Sequence, residues 1–414
     1  MLKEEAKNSL LLTSEYAPNT TGGIQRTVAS FAEFAASQGN QEVIWAYPIK
    51  RRKSLVHPPS PYPSLAYEPL HTIASIPILE KLPTPASKRK LSSLVQQSMG
   101  NIVIYSPDMI GMSVYDRLIP KQKRKTTVVW NCPLDIGLSD VDSASLVDYY
   151  IYLLSHPLYH LRNMMLSQRG ITNTSAIFNS YSIKSSFDNV FPKDTPAEWI
   201  VIPPVGEFCH KCPQQRKTDT NEYTILSVGR ITAKKGTGRL LELAVMLDRI
   251  LKGSDSLAKF VVVGDLNNPY GQWFSQQTEE LNKSFSHCQF DLRGCIPDGD
   301  FLCKAYTNAD LFFQPSTIEG LSLVFTEAAS HGLPLMGFNS RGSGEAISQF
   351  GEAGFLAQEP NEIGYYQLAQ KIKDLISAPS RYRQYLSELA QTITLDKFSP
   401  AKINAQFLDF VTRR

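Results

Sequence analysis

Apolar runs rich in β-branched and aromatic residues alternate along the chain with stretches of helical period. In the second half the runs are TILSVG (224–229), KFVVVGD (259–265), QFDLRG (289–294), DLFFQPS (310–316) and LPLMGF (333–338). Between them lie GRLLELAVMLDRIL, WFSQQTEELNKSF, DFLCKAYTNA and TIEGLSLVFTEAASHG. Strands that are apolar throughout and separated by helices predict a parallel sheet covered on both faces, a doubly wound α/β domain. The first half repeats this with SLLLTS (9–14), EVIWAY (42–47), NIVIYS (101–106), TTVVWN (126–131), TSAIFNS (174–180) and EWIVIPP (198–204). HPPSPYPS (57–64) and PTPASKRK (83–90) read as loop or insertion.

Periodicity gives way to proline, glycine and charge near PPVGEFCHKCPQQRKTD, which places a linker at about 204–220. A chain of 414 residues also exceeds what one hydrophobic core supports. The expectation is an N-terminal Rossmann-like domain over 1–205 and a C-terminal one over 206–395. A last helix, about 396–414, would pack back on the first domain through Phe398, Ile403, Phe407, Phe410 and Val411.

With 42% apolar residues, 20% charged and a formal charge of +3, the composition is that of an ordinary globular protein and excludes disorder. The N-terminal apolar stretch is too short for a secretion signal, and no run approaches the ~20 apolar residues of a spanning helix. A cytoplasmic location is expected. Six cysteines are too sparse for a disulfide framework and fit a reducing compartment. Cys209 and Cys212 form a CxxC without a second pair, which favours ordinary thiols over a zinc site.

Ligands of doubly wound sheets bind beyond the carboxyl ends of the strands, so the strand-to-helix turns carry the candidate chemistry. After SLLLTS, Gly22 and Gly23 lead into a helix and would let a backbone approach an anion closely. After TILSVG, Arg230 and Lys235 stand just before Gly236 and can converge on one anionic group, a fork of donors beside a mobile point charge. Taken alone, the Gly22–Gly23 turn reads at least as well as a plain tight connection, and Arg230 and Lys235 alone read better as solvated loop residues. After DLFFQPS, Ser322 is a candidate cap for a helix ending before Gly332, with Glu319 in the preceding loop and Glu327 one turn inside. At about 100° per residue, Thr326, Glu327, Ser330 and His331 share a face without Lys or Arg, which suits a cleft wall better than a solvated surface.

The segments SVGRITAKKG, VVVGD, FDLRG and ADLFFQPSTIEGLSLVFTEAASHGLPL, in this order, resemble glycosyltransferase family 4, the retaining sugar-nucleotide transferases of GT-B fold. Glu319 and Glu327 match that family's paired-glutamate signature. The resemblance implies two Rossmann-like domains facing across a cleft and transfer of a sugar, most simply from a UDP-sugar, to a glycan, lipid-linked or polysaccharide-precursor hydroxyl. It implies that Arg230 and Lys235 hold the donor diphosphate, with Gly22 and Gly23 approaching it from the other domain. Glu327 would bind the ribose hydroxyls and Glu319 the transferred sugar. Arg293, Gly294, Cys295 and Ile296 would contact the base, and Ser322, Leu323 and Val324 would complete the phosphate cradle. No metal or other cofactor is expected, because cationic side chains and helix dipoles supply the charge. The triplets Asp140-Val-Asp142 and Asp298-Gly-Asp300 read as solvated loops.

The chain departs from the family where a sugar-facing histidine commonly stands: Asn131 and Cys132 occupy that turn, while His156 and His160 are the candidates on the acceptor side. A GT-B epimerase or hydrolase and a non-catalytic nucleotide-sugar-binding homologue are the alternative readings. Basic clusters at Arg51–Lys53, Lys88–Lys90 and Lys121–Lys125 are either solvated surface or a peripheral contact with anionic membrane. They lack interleaved aromatics, which argues against nucleic acid.

Overall fold

The computed structural model describes residues 9–14, 23–39, 42–49, 62–71, 84–97, 101–105, 126–130, 174–193, 195–206, 222–296 and 299–413. The chain divides into two compact units. One comprises the described residues up to Gly206 together with those from Ser399 onward, and the other runs from Glu222 to Phe398.

The first unit is built on a seven-stranded parallel sheet of order β3-β2-β1-β4-β5-β6-β7. Its strands are β1 (Ser9–Ser14), β2 (Glu42–Ile49), β3 (Leu65–His71), β4 (Ile102–Tyr105), β5 (Thr126–Trp130), β6 (Ser175–Phe178) and β7 (Glu198–Val201). Leu11, Ile104, Val128 and Phe178 from the sheet pack with Leu91 and Phe187 from helices α2 (Pro85–Gln97) and α3 (Tyr181–Val190). Helix α1 (Gly23–Ser37) packs against α11 (Pro400–Thr412), where the rings of Phe31 and Phe407 lie 3.9 Å apart and Asn404 Nδ2 donates to Ser30 Oγ at 2.9 Å. Emptying that contact with Phe407→Ala would cost about 3–5 kcal/mol.

Two elements differ from the sequence expectation. The PTPASKRK stretch is the start of α2, not a loop: Thr84 Oγ1 accepts from Ser87 N at 3.2 Å, and Pro85 takes the first helical position, where its missing N–H costs nothing. Lys90 on this helix is ion-paired with Glu68 of β3. The strand β3 itself, LAYEPLH, carries too many polar residues and a proline to read as a strand, yet it is an edge strand, where proline is tolerated.

The second unit has a six-stranded parallel sheet of order β10-β9-β8-β11-β12-β13. The strands are β8 (Glu222–Val228), β9 (Leu257–Val263), β10 (Cys288–Gly294), β11 (Leu311–Gln314), β12 (Leu335–Phe338) and β13 (Gly354–Ala357). In sequence order this is the 3-2-1-4-5-6 arrangement whose direction of winding reverses between the first and fourth strands, here β8 and β11. Asp310 fixes their register: its carboxylate accepts from Thr224 N at 2.8 Å while its own N–H donates to Thr224 O at 2.9 Å. The unit's core collects Ile225, Phe260, Leu311 and Phe313 under Leu243, Leu247 and Leu368. The crevice beyond the ends of β8 and β11 is therefore where this sheet presents its turns to a ligand.

Candidate active site at the strand crossover

The turn after β8 is short and strongly determined. Gly229, in an extended positive-φ conformation (φ 155°), leads to exposed Arg230. A single 3-10 turn, Ala233–Lys235, follows, capped by Thr232 and closed by Gly236 in the left-handed region at φ 60°. A Cβ on Gly236 would sit 2.1 Å from Pro315 O, so glycine lets this turn lie against the turn after β11. Thr317 Oγ1 donates to Lys234 O at 2.7 Å and ties the two turns together. Arg230, Lys235, Thr237 and Gln314 line one shallow hollow beyond the end of β8.

The turn after β11 carries Glu319, and the two turns meet in an ion pair between Lys235 Nζ and Glu319 Oε1. The lysine side chain is 17% exposed and the glutamate 10%, so the pair is largely removed from water. Ser316 Oγ donates to the same Glu319 oxygen at 2.7 Å and accepts from Gln314 Nε2 at 2.8 Å. The backbone of Glu319 is held as well, its N–H donating to Arg341 O at 2.8 Å. Gly342, at φ 77°, makes this approach possible, because a Cβ there would lie 2.2 Å from Glu319 O.

Helix α7 (Leu323–Ser330) follows, with Ser322 at its N-cap, extended and without a side-chain capping bond. Its N-terminus, Ser322 to Val324, adds the positive end of a helix dipole to the same crossover. Glu327 lies one turn inside, 4% exposed, and Tyr306 Oη of α6 (Gly299–Thr307) donates to its Oε2 at 3.0 Å. The face shared by Thr326 and Glu327 is thus packed inside the unit, not open to bulk water.

Arg230, Lys235, Glu319, Glu327 and the helix start at Ser322, Leu323 and Val324 all belong to turns or helices that follow β8 and β11. The remaining candidates are spread more widely. Arg293 closes a bidentate pair with Asp291 on the edge strand β10, at 2.9 and 2.7 Å, which lowers the Asp291 carboxyl below its ordinary range. Gly294 ends that strand at φ 63°, followed by exposed Cys295 and half-buried Ile296. Gly23 opens α1 in the other unit, where Thr27 Oγ1 donates to its carbonyl at 3.0 Å. Gly22, Asn131, His156, His160, Asp140, Asp142 and Asp298 lie outside the described residues. Cys288 and Cys295 are free thiols, whereas Cys303 is disulfide-bonded, against the expectation of reduced thiols throughout.

Sequence reasoning missed three residues that the structure puts at this site: Gln314, Ser316 and Tyr306. The first two could have been noticed as polar side chains at the end of an otherwise apolar strand. Tyr306 gives no such signal, because only the packing of α6 against α7 brings it to Glu327.

Chemically, the crossover offers the cations of Arg230 and Lys235, a helix N-terminus and two carboxylates, Glu319 ion-paired with Lys235 and Glu327 held by the Tyr306 hydroxyl. Residues 211–392 match the family model described as Glycosyl transferases group 1. Among curated proteins, 134 residues are 33% identical to the sulfoquinovosyl transferase SQD2 of Arabidopsis thaliana, a stretch that is 32% of this chain and 23% of that protein. The match spans less than half the length of the curated relatives. Among solved structures, a sucrose-phosphate synthase from Thermosynechococcus elongatus superposes with a TM-score of 0.69 at 17% identity, covering 98% of each chain. Anabaena HepE, solved in complex with UDP and glucose, superposes with a TM-score of 0.65 at 15% identity, covering 97% of this chain and 99% of that one. These likenesses establish the GT-B fold.

Proposed function

We propose, for a chain that belongs through residues 211–392 to the group 1 glycosyl transferases and has the GT-B fold, that it moves a sugar from a nucleoside-diphosphate sugar to an acceptor hydroxyl. UDP is the favoured nucleotide, since HepE of the same fold binds UDP. The acceptor class is a glycan, a lipid-linked sugar or a polysaccharide precursor. The observation that carries this reading is the Lys235–Glu319 pair at the crossover of β8 and β11, beside the hollow that Arg230 also lines.

In transfer, the bond between the anomeric carbon and the β-phosphate oxygen breaks as the acceptor oxygen bonds the same carbon, negative charge grows on the departing diphosphate, and the acceptor hydroxyl's proton passes to that departing phosphate oxygen. Arg230, Lys235 once released from Glu319, and the N-terminus of α7 are the groups that receive that charge, and charge stabilisation of this kind is where such sites obtain most of their acceleration. Because these groups are cationic in themselves, the reading includes transfer without a metal. Glu319, freed from Lys235 when the diphosphate arrives, accepts hydroxyls of the transferred sugar, and Glu327 accepts those of the ribose. Configuration at the anomeric carbon is retained.

The test is a donor screen by thermal shift followed by hydrolysis of the best UDP-sugar with and without EDTA. The reading expects slow nucleotide release unaffected by EDTA, and loss of the nucleotide-induced shift in Lys235→Ala. Full dependence on a divalent ion would remove the metal-independent part, and an unchanged shift in Lys235→Ala would remove the site.

A further inference from the structure

Helices α4 (Arg239–Ile250) and α5 (Pro269–Ser284) of the second unit line an open cavity of about 400 Å³, within the size range of small-molecule pockets. It shares no lining residue with the hollow beside Lys235. From α4 it takes Glu242 and Val245, and from α5 Trp273, Gln277, Glu280 and Leu281. Spaced at i, i+4, i+7 and i+8, the α5 residues form one stripe that runs for about 12 Å along the helix.

Trp273 is a fixed platform in this cavity. Its indole is half-buried, and its six-membered ring lies against Gly238, where a Cβ would stand 3.4 Å from Cη2. Tyr270 packs beside it with ring centroids 5.0 Å apart, and the Tyr270 hydroxyl accepts from Gly238 N at 3.1 Å. The indole Nε1–H, on the other ring, has no hydrogen-bond partner among the described residues, and neither do the side chains of Glu242, Gln277 and Glu280. Arg239, the one cation among the described lining residues, is engaged elsewhere: it donates to Pro315 O at 3.1 Å and lies over the Phe338 ring at 5.6 Å.

These groups narrow the chemistry that fits. Two free carboxylates repel an anion. An apolar ligand would strip water from Glu242, Gln277 and Glu280 and return nothing. A compact cation would satisfy the carboxylates but leave the indole N–H and the Gln277 amide N–H groups without an acceptor. A pyranose ring meets all of them: its hydroxyls donate to the carboxylates and accept from the indole and the amide, while its C–H face lies on the indole. Polar groups on two helices, spread over about 12 Å, are set out for more than one ring. We infer that this cavity is a second carbohydrate site, apart from the crossover, which binds a neutral oligosaccharide with Trp273 as platform and Glu242, Gln277 and Glu280 as hydrogen-bonding groups. The binding is independent of the transfer reading; only its use, keeping a glycan chain close to the crossover, rests on that reading.

The experiment is isothermal titration of the full chain, without nucleotide, with maltohexaose, cellohexaose, laminarihexaose and N-acetylchitohexaose, and with the polycation spermine as control. At least one sugar should bind with a Kd of about 1 mM or tighter. Trp273→Ala should weaken it about tenfold or more, Trp273→Phe less, and Glu242→Ala or Gln277→Ala roughly threefold to tenfold, with UDP affinity and melting temperature unchanged in the last two. No binding of any of the four sugars overturns the inference, as does binding that Trp273→Ala and Glu242→Ala leave unchanged. Spermine bound more tightly than every sugar would make this a cation site and also overturn it. If Trp273→Ala does not fold, Glu242→Ala and Gln277→Ala carry the test, and sugar affinity unchanged in both refutes the inference. Sugar bound at this cavity by a chain that binds no nucleotide would remove the transfer reading and leave the site standing.

Discussion

Glu319→Gln separates the two tasks assigned to the Lys235–Glu319 pair. Removing one member of a fully buried ion pair costs about 3–5 kcal/mol, whereas an exposed pair is worth about 0–1 kcal/mol. At 17% and 10% exposure, and with Ser316 donating to the same carboxylate oxygen, this pair falls between those limits. A loss of about 2 kcal/mol is expected, which for a unit of this size lowers the melting temperature by roughly 4–8 °C. Nucleotide binding should respond in the opposite direction. In the empty protein the Lys235 ammonium is engaged by Glu319, so a diphosphate must first displace the carboxylate. With glutamine at 319 that competition weakens by about 1 kcal/mol, and UDP should bind about fivefold tighter even as sugar transfer falls. Lys235→Met should lower the melting temperature comparably but weaken UDP tenfold or more. Scanning fluorimetry gives the first quantity and titration calorimetry the second. The double variant should be less destabilised than the sum of the two single changes, by about 1–2 kcal/mol of coupling. Additive single effects, or UDP weakened as much by Glu319→Gln as by Lys235→Met, would refute the reasoning.

Gly342→Ala places a Cβ 2.2 Å from a backbone oxygen at φ 77°, so the loop holding Glu319 must shift. Turnover should fall more than UDP affinity, with a stability loss of about 2 kcal/mol or more read by urea unfolding. Burial lowers the His331 pKa, outweighing the hydrogen bond to Glu327 that raises it. The unfolded chain therefore takes a proton near pH 6.5 that the folded chain resists, and stability should fall as the pH drops below that value. Urea midpoints at pH 7.5 and 5.5 check this, and His331→Asn should flatten the difference.

The second unit was legible because β8, β9, β11 and β12 are apolar along most of their length, as strands of a sheet covered on both faces are. β13, GFLA, escaped notice because it is four residues long and follows a glycine-rich turn. β3 and the start of α2 were hidden by the prolines and charges that edge strands and helix N-termini accept. In the site, the spacing of Glu319 and Glu327 and the placing of Arg230 and Lys235 were visible along the chain. What sequence could not show was contact across the sheet. Lys235 meets Glu319 over 84 positions because β8 and β11 are neighbours, and Tyr306 meets Glu327 because two helices pack side by side. Such contacts depend on which strands and helices become neighbours, and local pattern does not encode that.

A crystal structure with UDP bound tests the central claim most directly. The account predicts the β-phosphate within hydrogen-bonding distance of Lys235 Nζ and Arg230, the Lys235–Glu319 pair broken, and the ribose hydroxyls on Glu327. UDP seated elsewhere with that ion pair intact would contradict it.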